Sequence, residues 1–125
     1  MTKPAVLEPA FVLNLSEAAA ELRSAAAYEN EGHTARTLTR EADLRVVLLV
    51  MKTGSRLREH QADATVCIQV LGGGVRLELP TGSVGLGVGQ LLLLERNTPH
   101  DVTALEDSSV LLTLGWHGKP GRDER

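Results

Sequence analysis

Two histidines stand in stretches of similar plan. One is Gly54-Ser-Arg-Leu-Arg-Glu-His60-Gln-Ala62-Asp-Ala-Thr-Val66, which leads into an apolar run ending at Gly73. The other is Gly89-Gln-Leu-Leu-Leu-Leu-Glu95-Arg-Asn97-Thr-Pro-His100-Asp-Val-Thr-Ala104. A pair of imidazoles has three uses in an apolar setting. It can supply part of a divalent metal's ligand shell, or one ring can serve as a general base. The rings can also simply hydrogen-bond each other, a water or a backbone carbonyl, as buried polar groups must. Arg56 and Arg58 share His60's alternation parity. Their planar guanidinium groups suit the carboxylate of a small acid, and the plainer reading makes them a solvated strand end. Alternation through residues 60, 62, 64, 66, 68 and 70 gives a face of His, Ala, Ala, Val, Ile and Val. Cys67 and Gln69 fall on the other face, where Cys67 reads as a small hydrophobe. Asp63 and Asp101 have ligand chemistry but are turned away from the neighbouring histidines by the same alternation. His33 is a further ligand candidate from outside these stretches.

Other chemistries find no support. There is no Ser/His/Asp elbow, no paired catalytic carboxylates and no nucleotide fingerprint. Gly72-Gly-Gly74 lacks the following Lys-Ser/Thr and helix of a phosphate loop, and reads as a hairpin turn. The 125 residues carry a net charge of -3 without a Lys/Arg cluster, which argues against a nucleic-acid surface. Aromatic residues make up only 2%, too few for stacked sugars or bases. No apolar run reaches the ~20 residues needed to span a membrane. Glu8, Pro9 and Asn14 interrupt the apolar residues of the N-terminus, so no secretory leader is predicted. The single cysteine cannot form an internal disulfide, and the expectation is a cytoplasmic protein.

The elements that would position the histidines are short strands. Ser16 is the expected N-cap of a helix over Glu17 to about Glu29, ended by Gly32 and packing Ala18, Leu22, Ala25 and Ala26 onto a sheet. Strands are predicted over Thr34–Thr39, Leu44–Met51, Thr65–Leu71, Val75–Leu79, Ser83–Val88, Leu91–Leu94, His100–Ala104 and Ser109–Trp116. The apolar run Leu44–Met51 reads as a strand buried on both faces, or sealed at an oligomer interface. Turn signals every eight to twelve residues, with no room for helical crossovers, predict an antiparallel all-β sandwich or barrel. The expected organisation is an N-terminal segment with helix over 1–32, a barrel over 33–117 and a flexible tail over 118–125. His117 falls in the exposed end region, and Trp116 closes the barrel end or packs at a subunit contact.

Both histidine stretches resemble the two motifs of the cupin superfamily, small antiparallel jelly-roll barrels. The first family motif is a glycine, five residues, His-x-His, three or four residues, a glutamate, six residues and a glycine. Gly54, His60, Ala62, Val66 and Gly73 stand at those spacings. The second is a glycine, five residues, proline, any residue, glycine, two residues, histidine, three residues and an asparagine. Gly89, Glu95, Asn97, His100 and Ala104 occupy those places. The resemblance implies a cupin-like jelly-roll barrel with a short N-terminal helix, and a homodimer. In the family, two histidines and a glutamate of the first motif and the histidine of the second bind one divalent metal. Here His60 and His100 keep that chemistry, while Ala62 and Val66 replace the other two ligands.

The resemblance therefore implies a barrel interior in which His100 and Val102 face His60, Ala62 and Val66, with Arg56 and Arg58 at its mouth. The leading expectation is a small-molecule-binding or interaction module with a degenerate metal site. The alternative is a metal-dependent dioxygenase or isomerase in which His60 and His100, with a non-standard third ligand, hold Fe, Mn, Ni, Cu or Zn. A metal-independent enzyme using either histidine as general base is the third.

Overall fold

An asparagine starts the first helix. In the computed structural model, which describes Pro4 and residues 7–116 and only the backbone of Glu59 and His60, α1 spans Leu15–Arg23. The Asn14 side chain accepts the Glu17 N–H at 2.9 Å, so the cap lies two residues before the expected Ser16. The expected single helix is interrupted at Ser24, whose hydroxyl donates to the Glu21 carbonyl at 2.7 Å. Such local bonding competes with the helical ladder. The chain restarts as α2, Ala26–Glu31, and stops on Gly32 in the left-handed region at φ +83°. The restart changes the buried face to Ala18, Ala19, Leu22 and Tyr28, and leaves Ala26 exposed. The expected tail over 118–125 and His117 lie outside the described residues.

Nine strands follow: β1 His33–Arg40, β2 Leu44–Met51, β3 Arg56–His60, β4 Thr65–Gly72, β5 Gly74–Leu79, β6 Gly82–Gly87, β7 Leu91–Leu94, β8 His100–Ala104 and β9 Ser108–Gly115. They form a five-stranded sheet, β1-β2-β9-β4-β7, and a four-stranded sheet, β3-β8-β5-β6, each antiparallel throughout. The expected barrel takes the form of two facing sheets, because every register pair described joins strands within one sheet. Between them lies an apolar layer that includes Leu49, Met51, Val66, Ile68, Val75, Leu77, Val102 and Val110. Burying side chains of this size is worth about 1.5–3 kcal/mol each.

The two faces of β2 go to different cores. Leu49 and Met51 pack between the sheets, while Leu48 and Val50 lie beneath the helices with Ala18, Leu22 and Tyr28. This accounts for the run Val46–Met51 of β2, apolar on both faces, within one chain and without an oligomer interface.

The end of the sandwich where β4 turns into β5 is closed tightly. Gly73 has φ +78°, and a Cβ there would sit 2.3 Å from the Asp107 carbonyl oxygen. Beside it the buried Ser108 hydroxyl accepts the Gly74 N–H at 3.0 Å and donates to the Glu106 carbonyl at 2.8 Å. His100 begins β8 at the opposite end. Among the described residues no helix is long and apolar enough to cross a membrane.

Candidate functional site

His60, the last residue of β3, and His100, the first of β8, stand opposite each other in register. The chain reaches that pairing through a bulge. Leu57 opposes Val102 and His60 opposes His100, so three steps along β3 match two along β8. A bulge of one extra residue shifts the alternation of the strand that carries it. Leu57 packs against the core between the sheets, and its neighbour Arg56 consequently lies on the outer face. There Arg56 forms an ion pair with Asp101, beside its register partner Thr103. Arg58 is exposed within the bulge. The expectation that Arg56, Arg58 and His60 share the inner face assumed unbroken alternation. The structure instead turns Arg56 away from the interior.

His100 is set by its turn. Its ring is buried, with a relative exposure of 9%, and it belongs to the same inward series as Val102 and Ala104. Nδ1 donates to the Thr98 carbonyl at 3.0 Å. That bond makes Nε2 the unprotonated nitrogen of the neutral ring, the form that ligates a metal or accepts a proton. Asn97, at the position where the second motif has glycine, adopts φ +63°. Asparagine tolerates this region better than most residues. The Asn97 N–H donates to the Ala62 carbonyl at 2.8 Å, which ties the turn of the second motif to the link between β3 and β4 in the first.

Ala62 packs against the core, and Val66 is buried at 6% exposure. The predicted alternation from 60 to 70 holds from Ala64 to Val70, but residues 61–64 form an irregular link and not strand. Cys67 lies half-buried on the other face, opposite Leu93 and Thr113 in register. Asp63 pairs with Arg96 at 2.9 Å and Asp101 pairs with Arg56, so both carboxylates answer surface arginines. His33 is at the far end, opposite Met51, with Nδ1 3.4 Å from the Ser55 hydroxyl. Trp116 packs on the core at the His100 end, and its N–H donates to the Asp43 carbonyl at 3.0 Å.

Beside His100 an open cleft of about 250 Å³ is lined by Glu78, Leu79, Pro80, Pro99, His100 and Asp101. The Ser83 hydroxyl, and then Arg76, hold the Glu78 carboxyl below its ordinary value. The outer rim is therefore anionic and already paired, and Leu79, Pro80 and Pro99 give the cleft its apolar lining beside His100.

One inward polar residue escaped the sequence reading. In β2, Arg45 has the parity of Val47, Leu49 and Met51, and it opposes Leu114, which opposes Val66, which opposes Leu94. That row is the core layer nearest His100, because Leu94 leads directly into the turn before β8. The only sequence signal was the charge itself, set in a run that is apolar on both faces.

Among the described residues the donor set does not fit a complete metal shell. Ala62 and Val66 carry no donor, Asp63 and Asp101 are paired outside, and His33 is at the other end. Among the described residues no three His, Cys, Asp or Glu side chains are grouped to hold a metal. Two histidines fall short of the three or four protein ligands of a stable centre.

No family model matches the chain, and no curated protein matches it. Solved structures do. A conserved protein of unknown function from Streptococcus pyogenes superposes with a TM-score of 0.69 at 20% identity, covering 95% of this chain and 98% of its own. An RmlC-like cupin from Desulfovibrio desulfuricans gives 0.65 at 22% identity, covering 74% and 90%. KdgF from Halomonas sp. gives 0.61 at 26% identity, covering 69% and 82%. Such neighbours, an RmlC-like cupin among them, show that the two facing antiparallel sheets of this chain are the cupin fold.

Proposed function

We propose that this cupin binds a small molecule at the end of the sandwich marked by His60 and His100, and that its metal site is degenerate. The observation that carries this reading is the buried, tautomer-fixed His100 in an apolar wall beside an open cleft. A ligand there meets apolar surface for affinity and a few polar atoms for orientation, the usual composition of a small-molecule site. Elemental analysis of protein purified without a histidine tag or chelator tests it. Trace metal, unchanged in a His60→Ala/His100→Ala double variant, is the expected result.

A second reading makes the chain a metal-dependent dioxygenase or isomerase. The register pairing of His60 with His100 favours it, as does the carbonyl bond at Nδ1, which orients a ligating imidazole. Stoichiometric iron, manganese, nickel, copper or zinc, lost in the double variant, would overturn the first reading in its favour. A homodimer is part of either reading. Its support is the half of the five-stranded sheet that the helices leave open, where Leu91 and Leu93 are 56% and 63% exposed. The cytoplasm is the compartment proposed, on the lone Cys67.

A further inference from the structure

Arg45 presents a physical problem. Its Nε is buried, and among the described residues it has no hydrogen-bond partner. A buried donor on a charged group is costly when it is left unpaired. Its register neighbour sharpens the problem, because Arg40 stands directly opposite on β1. Residues opposed in register share a face, and like charges so placed repel. None of the ion pairs among the described residues involves either arginine; the acids of the ion pairs are taken by Arg36, Lys52, Arg56, Arg76 and Arg96. Glu41 and Asp43, in the turn joining β1 to β2, are exposed. Two guanidinium groups at one corner of the mouth, one with a buried idle donor, leave a place for an anion.

We infer that Arg45, supported by Arg40, anchors the carboxylate of a small organic acid at this end of the sandwich, where the core row of Leu114, Val66 and Leu94 ends. The inference rests on the proposed small-molecule site and names its ligand class. A planar carboxylate matches the guanidinium fork and takes up the Nε–H. His100 projects from the opposite sheet at the same end, where it would meet the remainder of the ligand. The arginine is also a stability liability while the site is empty. An apolar residue of similar length relieves the unpaired burial, so binding residues and stability oppose each other here.

The test is nuclear magnetic resonance on the full chain, following the Arg45 Nε–H and the His100 ring during titration with benzoate and lactate, and with benzamide and lactamide as neutral controls. The acids should shift both signals saturably. The amides should bind at least about tenfold more weakly, and Arg45→Gln should lose that preference, with Arg45→Lys intermediate. Arg45→Met should melt at a higher temperature than the parent without ligand, which keeps the idea testable even if Arg45→Gln folds poorly. Acids and amides that bind alike, or an acid preference that survives Arg45→Gln, would overturn the role of Arg45 and leave the ligand-binding reading standing. The absence of any saturable shift, with acids or amides, would overturn both. A melting temperature lowered by Arg45→Met would also count against the inference, because it would mean that the guanidinium is already satisfied.

Discussion

His60 and His100 oppose each other at the ends of two hydrogen-bonded strands, although the residues leading to them are out of step. On the β8 side the imidazole is held by a carbonyl of its own turn. His100→Ala would leave the Thr98 carbonyl without that donor and open a small void, at a cost of about 1–3 kcal/mol. Chemical denaturation of the purified variant measures this; an unchanged midpoint would mean that the ring contributes nothing to the fold.

Asn97 carries the second motif's turn at positive φ. Asn97→Gly should therefore be nearly neutral, within about 0.5 kcal/mol, while Asn97→Val should cost about 1–2 kcal/mol because a β-branched side chain resists the left-handed region. Thermal melts of the two variants separate backbone strain from any side-chain role.

Gly73 permits less. An alanine would bring a methyl group to within 2.3 Å of the Asp107 carbonyl oxygen and 2.5 Å of the Ser108 hydroxyl, at φ +78°. Strain and overpacking together predict a loss of about 2–4 kcal/mol. A Gly73→Ala protein that matched the parent in urea would show that the turn can rearrange.

Asp107 makes part of the stability pH-dependent. Its carboxylate accepts the Thr53 N–H at 2.8 Å and the Thr53 hydroxyl at 2.9 Å, and these bonds hold its pKa below the ordinary 3.8. A carboxyl depressed by folding stabilises the fold above its unfolded value, and the benefit is lost as the pH falls through the folded one. Asp107→Asn should therefore lower the melting temperature at neutral pH, and the gap to the parent should narrow as the pH falls from about 4 through the lowered folded value. A gap constant with pH would assign the effect to the lost shape and not to the charge.

The open half of the five-stranded sheet supplies a test of assembly. Leu93→Glu would place a charge amid Leu91, Cys67 and Thr113. Sedimentation should show a dimer for the parent and a monomer for the variant; a parent that sediments as a monomer would remove the proposal.

Most strand positions were legible because the strands alternate or are nearly all apolar, and β2, β7 and β8 fall on their predicted residues. The motif spacing brought His60 and His100 to one end of the fold without any geometry in hand. Parity failed at Arg56, since counting by twos cannot register an extra residue. Arg45 was hidden for another reason: β2 faces apolar neighbours on both sides, so no pattern marked which side its one charge would take. The helix starts two residues before the expected position because Asn14 and Ser16 are both good caps, and only the bond to Glu17 distinguishes them.

The bulge in β3 gives the strand one residue of slack. Five residues, Arg56–His60, run beside the four from His100 to Thr103, and only the two ends of the stretch are committed to partners. Shortening the chain by one at Arg58 would leave Leu57 across from Val102 and His60 across from His100, with regular pairing between. The same cut beyond His60, where Ala62 is tied to Asn97, would have no such reserve to draw on. Tolerance to a lost residue should therefore change sharply within a few positions of the histidine.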